Sequence, residues 1–177
     1  MRIYYLKIFI FITIFVVLNS SLLFAETALQ YLYDGNEDQK VGNLDQAIYE
    51  YSKAIDMNPN FAKAYDNRGV AYAKEGSLKR AIADFTMAIA NNSKDAEAFN
   101  NRGRAYAQQG NYYQAIYDYS KSIEINPIYV KAFNNRAQAY YNLQKYDRAW
   151  ADINEIKKIG AVPDTNLLEE LKSHPFN

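Results

Sequence analysis

Apolar residues recur along this chain at spacings of three and four, the pattern of helices with one buried face. Glycine or proline interrupts the pattern at regular points, and no stretch alternates apolar and polar residues for long enough to indicate a strand. Each helix-sized segment is followed by a short turn and a second segment of similar length. The sequence therefore predicts an all-α chain built from helix–turn–helix units.

These units repeat with a period of 34 residues. The block Arg68-Gly69-Val70-Ala71-Tyr72 returns in related form at 102–106 and 136–140. Three further kinds of residue keep the same step: aromatic residues (Tyr31, Tyr65, Phe99, Phe133), alanines (Ala47, Ala81, Ala115, Ala149) and large apolar residues (Tyr51, Phe85, Tyr119, Ile153). We predict four repeats, at 28–61, 62–95, 96–129 and 130–163.

The repeats have recognisable turns and a distinct end. A glycine lies midway through each of the first three repeats, at 42, 76 and 110, and Gln144 takes this place in the fourth. Residues 164–177 follow the last repeat and carry leucines at 167, 168 and 171 on one helical face. This segment predicts a C-terminal capping helix and a tail.

The 34-residue period, with aromatic residues, glycine and alanine at these places, resembles the tetratricopeptide repeat. The resemblance implies a right-handed superhelical solenoid that binds proteins in a concave groove lined by the first helix of each repeat. The second, fifth, sixth, ninth and thirteenth positions of the first helices would face that groove. The candidate peptide-binding residues are Asn36, Lys63, Asp66, Asn67, Glu97, Asn100, Asn101, Arg104, Lys131, Asn134, Asn135, Gln138 and Tyr141.

Three of these candidates, Asn67, Asn101 and Asn135, form a ladder at the sixth position of successive repeats. A side-chain amide both donates and accepts hydrogen bonds, so each could hold one backbone unit of an extended peptide. The charged candidates would then select among peptide sequences. The alternative is that the ladder reflects only the common ancestry of the repeats.

Some tetratricopeptide proteins hold the C-terminal carboxylate of a chaperone in a clamp of basic and amide side chains. Asn36 and Asn67 match two positions of that clamp, but Leu32, Glu97 and Asn101 occupy the positions that require a basic residue. The resemblance therefore implies that a terminus of the EEVD type is not the ligand.

A second repeated pattern predicts structural ion pairs. Arg68, Arg102 and Arg136 each have an acidic residue 18 positions earlier and another 16 positions later. The acidic residues are Glu50, Asp84, Asp118 and Asp152. We predict a ladder of arginine–carboxylate pairs between neighbouring helices, because a partly buried guanidinium group needs such partners.

Residues 1–25 differ from the rest of the chain. Arg2 and Lys7 precede an apolar run from Ile8 to Leu18, and the first acidic residue is Glu26. This pattern predicts a signal peptide cleaved after Ala25, with an uncleaved membrane anchor as the alternative. We expect the remainder to be exported, to the periplasm or to the medium.

Composition excludes several functional classes. Without residues 1–25 the chain has 18 basic and 20 acidic residues, interspersed throughout, for a net charge of −2. This balance is atypical of nucleic-acid binding. The chain has no cysteine, a single histidine (His174) and no glycine-rich phosphate loop, which excludes thiol and histidine-based triads and Cys/His zinc sites.

We therefore expect neither enzyme activity nor a cofactor, a metal or a small-molecule substrate, and we expect the partner to be another protein or a peptide. The alternative function is self-association in the cell envelope. Leu29 and Leu32 at one end and the leucines of the 164–177 segment at the other would then pack on a second copy.

Overall fold

A computed structural model describes residues 25–174 of the chain. Within this range the protein forms nine α-helices and no strand. Their bounds are α1 at 25–40, α2 Leu44–Met57, α3 Ala62–Glu75, α4 Leu78–Asn91, α5 Ala96–Gln108, α6 Tyr112–Ile125, α7 Val130–Asn142, α8 Tyr146–Lys158 and α9 Thr165–Lys172. Residues 1–24 of the predicted signal peptide and the tail at 175–177 lie outside the described residues.

The helices stack as four pairs, α1–α2, α3–α4, α5–α6 and α7–α8, followed by the single helix α9. First helices of successive repeats pack on each other, α3 on α5 and α5 on α7. The second helices α4 and α6 reach the next repeat through its first helix, α4 on α5 and α6 on α7. The first helices therefore line the inner, concave side of the stack, and the prediction of an all-α solenoid is confirmed.

Each of the first three repeats places its two helices close together at a glycine on the first helix. A Cβ atom on Gly69 would lie 2.7 Å from the ring of Phe85, and one on Gly103 would lie 2.6 Å from the ring of Tyr119. The same approach joins Gly35 to the ring of Tyr51. Since no side chain fits in this space, the glycine sets the distance between the two helices of the repeat.

The turns inside the repeats require left-handed backbone geometry. Gly42, Gly76 and Gly110 have φ of 85°, 89° and 79°, and Gln144 in the fourth repeat has φ of 58°. Glycine adopts this region without strain because it lacks a Cβ atom, whereas glutamine does so at some cost. Gln144 therefore has the same left-handed backbone conformation as the three glycines, although it carries a side chain.

Of the two carboxylate partners predicted for each arginine of the ladder, the structure shows one. Nε and Nη2 of Arg102 donate to the two carboxylate oxygens of Asp118, both at 2.8 Å. The same bidentate contact joins Arg68 to Asp84 and Arg136 to Asp152. In every case the partner is the acidic residue 16 positions later.

The predicted pairing with the acidic residue 18 positions earlier is wrong. The third arginine nitrogen instead donates to a hydroxyl 16 positions earlier, as Nη1 of Arg102 does to Thr86 at 3.2 Å. Ser52 and Ser120 serve Arg68 and Arg136 in the same way. For Arg102 and Arg136 the earlier carboxylate, Asp84 or Asp118, already accepts on both oxygens from the arginine of its own repeat. For Arg68 the earlier carboxylate is Glu50, which accepts from the side chain of Gln46.

Helix α9 closes the C-terminal end of the stack. Leu167 and Leu171 are buried against Ile153 and Ile156 of α8. This burial corrects the self-association hypothesis at that end, because these two leucines are already covered by their own chain.

Among residues 25–174, the structure contains no helix with the length and apolar character of a membrane span.

Candidate peptide-binding groove

Two adjoining clefts open on the concave side of the stack. The first lies between α3 and α5, has a volume of about 150 Å³ and is lined by Val70, Ala73, Lys74, Phe85, Asn101, Arg104, Ala105 and Gln108. The second lies between α5 and α7, has a volume of about 170 Å³ and is lined by Arg104, Ala107, Gln108, Tyr119, Asn135, Gln138, Ala139 and Asn142. Because Arg104 and Gln108 line both, the clefts form one continuous stretch, which we call the central groove.

The central groove has an apolar floor. The floor is formed by aromatic residues of the second helices, Phe85 in the first cleft and Tyr119 in the second, both almost fully buried. Ala73 and Ala107 occupy the same position of successive first helices, and their small side chains leave the clefts open. An apolar floor with polar walls is the arrangement typical of peptide- and ligand-binding clefts.

The asparagine ladder joins the repeats to each other. Asn101 donates from Nδ2 to Oδ1 of Asp66 at 3.1 Å, and Asn135 donates to Oδ1 of Asn100 at 2.8 Å. Asn67 donates to Oδ1 of Asn36 at 2.6 Å. Each sixth-position amide therefore bonds to a side chain of the preceding repeat.

Burial changes the interpretation of several candidates. Asn100 and Asn101 are only 2% and 8% exposed, and Asp66 is 1% exposed. The helical wheel places these residues on the concave face of their helices, but the first helix of the neighbouring repeat covers them there. Their hydrogen bonds show a structural role, and contact between these residues and a ligand stays a prediction.

Asn36 and Asn134 hold the two ends of this ladder. Oδ1 of Asn36 accepts both the Tyr51 hydroxyl, at 3.0 Å, and the amide of Asn67. Oδ1 of Asn134 accepts the backbone N–H of Asp164 at 3.0 Å. The backbone of the segment that enters α9 therefore donates to the fifth-position side chain of repeat 4. Between repeats, the donor to the fifth-position side chain is the sixth-position asparagine of the next repeat.

Three charged candidates at the second and fifth positions, Lys63, Asp66 and Glu97, pair among themselves. Nζ of Lys63 lies 3.4 Å from the Asp66 carboxylate and 3.2 Å from that of Glu97. Burial raises the pKa of Asp66, and the hydrogen bond from Asn101 and the charge of Lys63 only partly offset this effect. Lys131 lines a separate shallow depression with Glu97 and other residues.

No cluster of three or more potential metal-ligating side chains occurs within 25–174.

The remaining candidates divide between the central groove and the C-terminal end. Arg104 is exposed between the two clefts, and Gln138 lines the second. Tyr141 lines neither, because its ring makes edge contacts with the rings of Tyr146 and His174 at centroid distances of 5.5 and 6.1 Å. Tyr141 therefore belongs to the packing around the capping helix.

The candidate set omits the thirteenth-position residues of the central groove. Lys74, Gln108 and Asn142 occupy this position in repeats 2 to 4 and line the clefts. Their step of 34 residues is visible in the sequence. The varied chemistry of these side chains hides the pattern, because a lysine, a glutamine and an asparagine do not look like one repeated site.

Sequence comparisons identify the repeats directly. Models described as tetratricopeptide repeat or TPR repeat match residues 35–76, 62–95, 96–129 and 119–151 and together span residues 35–151. The small glutamine-rich tetratricopeptide repeat-containing protein alpha of Homo sapiens is 46% identical over 41 residues, and its Rattus norvegicus counterpart is 44% identical over the same length. These matches cover 23% of this chain and 13% of those proteins.

Solved structures with the same fold include MamA, with a TM-score of 0.71 and 26% identity over 74% of this chain and 77% of that one. They also include the first TPR of Spaghetti (RPAP3) bound to the HSP90 peptide SRMEEVD, with a TM-score of 0.66 and 28% identity over 68% of this chain and 95% of that one. Together with the consecutive repeat matches, these likenesses confirm the family resemblance of the sequence. The chain belongs to the tetratricopeptide repeat family.

Proposed function

We propose that this protein is an interaction adaptor that holds an extended peptide or a helix of a partner protein in the central groove. The observation that carries the proposal is the continuous pair of clefts on the concave side, with an apolar floor and exposed polar walls. The related TPR domain of RPAP3, whose structure contains a bound HSP90 peptide, supports peptide binding as the kind of interaction.

The partner differs in chemistry from a peptide ending in EEVD. The clamp positions that require a basic side chain hold Leu32, Glu97 and Asn101, and Asn101 is buried and bonded to Asp66. A ligand of this protein must therefore contact other parts of the concave side, among which the central groove is open.

Site-directed crosslinking tests the adaptor proposal. The chain has no cysteine, so a photo-crosslinker can be attached at a single engineered one. Gln108→Cys places it between the two clefts, and Ala83→Cys places it on the exposed outer side of α4, as the matched control. We expect a partner-sized adduct from Gln108→Cys alone, which a groove-filling Ala107→Trp substitution abolishes.

Two outcomes of this experiment contradict the adaptor proposal. Equal adducts from both sites would show contact without a groove. An adduct with the mass of a second copy from either site, together with a dimer in light scattering, would establish the self-association alternative.

We also propose that the protein is exported, with residues 1–25 as a cleaved signal peptide. The support is the basic start, the apolar run and the absence of acidic residues before Glu26. The mass of the protein recovered from the producing cells tests this proposal. An N-terminus at Glu26 is the expected result, whereas the intact mass of 20.4 kDa in the membrane fraction would establish the uncleaved anchor.

A further inference from the structure

Two cations of the central groove have no partner among residues 25–174. Lys74 from α3 and Arg104 from α5 both line the first cleft, and both are exposed. Neither forms an ion pair or a side-chain hydrogen bond within residues 25–174. Of the acidic residues that the structure describes, none lines either cleft.

Most other basic residues of the first helices have a carboxylate partner, and Lys131, which forms no ion pair within 25–174, lies outside both clefts. Lys63 lies between two carboxylates, and Arg102 is paired with Asp118 through two hydrogen bonds. Arg68 and Arg136 have the same kind of partner as Arg102. Within 25–174, the first cleft thus combines two unpaired cations on one surface, with no acidic residue in its lining.

The surroundings of these two cations are suited to a carboxylate. Arg104 stands above an apolar floor that includes Phe85 and Ala105, where a charged hydrogen bond is less weakened by water than on an open surface. The planar guanidinium group can donate two parallel hydrogen bonds to one carboxylate, and the Lys74 ammonium adds a point charge. Val70 and Ala73 offer apolar contact beside them.

We propose that the central groove selects peptides that carry a carboxylate, which binds between Lys74 and Arg104 while a neighbouring aliphatic side chain of the peptide enters the first cleft. This inference rests on the proposed adaptor function and names the chemistry of its ligand. The two residues stand at the thirteenth position of repeat 2 and the ninth position of repeat 3, and neither is among the five residues aligned with the chaperone-tail clamp.

A peptide selection tests the inference on the full-length protein in non-ionic detergent. Short random peptides, displayed in one library with a free C-terminus and in another with the C-terminus fused, are selected on the parent protein. The same selection is made on Arg104→Gln, Lys74→Gln and Lys79→Gln. Lys79 is exposed on α4 outside the central groove, so its variant loses the same charge without changing the cleft.

We expect aspartate and glutamate to be enriched in peptides selected by the parent and by Lys79→Gln, and this enrichment to disappear with Arg104→Gln and to weaken with Lys74→Gln. For a synthetic selected peptide, Glu→Gln should weaken binding by about tenfold or more in the parent, as expected for loss of a charge-assisted contact. The same change should have little effect on Arg104→Gln. Added salt should weaken the parent complex as well.

The two libraries distinguish the source of the carboxylate. Enrichment in both indicates an acidic side chain, and enrichment at the last position of the free-ended library alone indicates a chain terminus. Amidation of the synthetic peptide checks the second case.

Peptides selected without acidic enrichment, or with enrichment that survives Arg104→Gln, would overturn the carboxylate inference and leave the groove proposal standing. Failure of the parent to select any peptide would overturn both. Because Lys74 and Arg104 are exposed, thermal unfolding of the variants should match that of the parent, and this control shows that any loss of selection comes from the groove.

Discussion

At the residue scale, the contact between a glycine and an aromatic ring determines how closely the two helices of a repeat approach. Repeats 1 to 3 combine glycine with a tyrosine or phenylalanine ring, as Gly103 does with Tyr119. Repeat 4 has Ala137 and Ile153 at the same two positions, both fully buried. The two positions therefore change together: the larger residue on the first helix of repeat 4 is accompanied by a smaller residue on its second helix.

This coupling predicts the effect of Gly103→Ala. The new Cβ atom would lie 2.6 Å from Cε1 of Tyr119 and 3.2 Å from the carbonyl oxygen of Ala115. We expect the free energy of unfolding to fall by about 1–3 kcal/mol, despite the better helix propensity of alanine. Urea unfolding measures this loss.

A double-mutant cycle with Tyr119→Ile supplies the control. If the ring is the obstacle, Gly103→Ala should cost less in the Tyr119→Ile background, which reproduces the pair found in repeat 4. Additive effects of the two substitutions would show that the contact does not control the helix spacing.

Asp66 gives a pH-dependent prediction at the same scale. Its buried carboxyl has a raised pKa, so the native state holds the proton to higher pH than the unfolded chain, whose aspartates titrate near pH ~3.9. Stability conferred by the protonated form is therefore lost as the pH rises from the unfolded pKa through the native one. Asp66→Asn should remove this loss, because asparagine still accepts the hydrogen bond from Asn101.

We expect Asp66→Asn to raise the melting temperature at pH 7 and to raise it less at pH 4. Asn100 and Asn134 hold the equivalent position in repeats 3 and 4, so asparagine suits the site. A variant that is less stable than the parent at pH 7 would instead show that the ion pair with Lys63 outweighs the cost of burial.

At the element scale, the arginine ladder fixes the second helices against the first helices on both sides. Arg102 on α5 bonds to Asp118 on α6 and to Thr86 on α4, and so connects three helices. Bidentate geometry requires all three to keep one relative position. The ladder therefore contributes to the precise stacking of the repeats.

Removal of one arginine tests this role. Arg102→Ala leaves the Asp118 carboxylate, 1% exposed, without its partner, and we expect a loss of about 3 kcal/mol in the free energy of unfolding. Arg104→Ala, two residues further along the same helix, is the matched control, because Arg104 is exposed and forms no ion pair within 25–174. Similar stability losses from both variants would contradict the structural role of the ladder.

The sequence predicts the helices better than it predicts which side chains face the groove. The 34-residue step and the recurrent Arg68 block identify the repeats and one acidic partner of each arginine. The burial of Asn100 and Asn101 is not predictable in the same way, because a helical wheel gives a direction without showing which neighbouring helix lies there. The hydroxyl partners of the arginines are not predictable from the sequence for the same reason, because they lie on a helix of the preceding repeat.

At the scale of the whole molecule, α9 completes a stack whose repeats each need a neighbour. An isolated repeat leaves one apolar face exposed, and the last repeat of a solenoid requires a cap. Leu167 and Leu171 cover that face here, and the hydrogen bond from Asp164 to Asn134 fixes the approach of the helix.

Leu171→Ala tests the importance of this cap. Leu171 is fully buried, so its truncation should lower the free energy of unfolding by about 2–5 kcal/mol and expose the apolar end of repeat 4. Hydrogen exchange should then accelerate first in α7 and α8. Leu168→Ala, at a partly exposed neighbour, should cost less, and uniform acceleration along the whole chain would contradict a local capping role.

The account as a whole depends on the central groove being the surface that meets the partner. The most direct measurement attaches an environment-sensitive fluorophore to Gln108→Cys and, separately, to Ala83→Cys, and titrates each with a selected peptide. A saturable change at Gln108 alone, lost when Ala73→Trp fills the first cleft, is the result we predict. An equal response at Ala83, or a response at Gln108 that survives Ala73→Trp, would contradict binding in the groove.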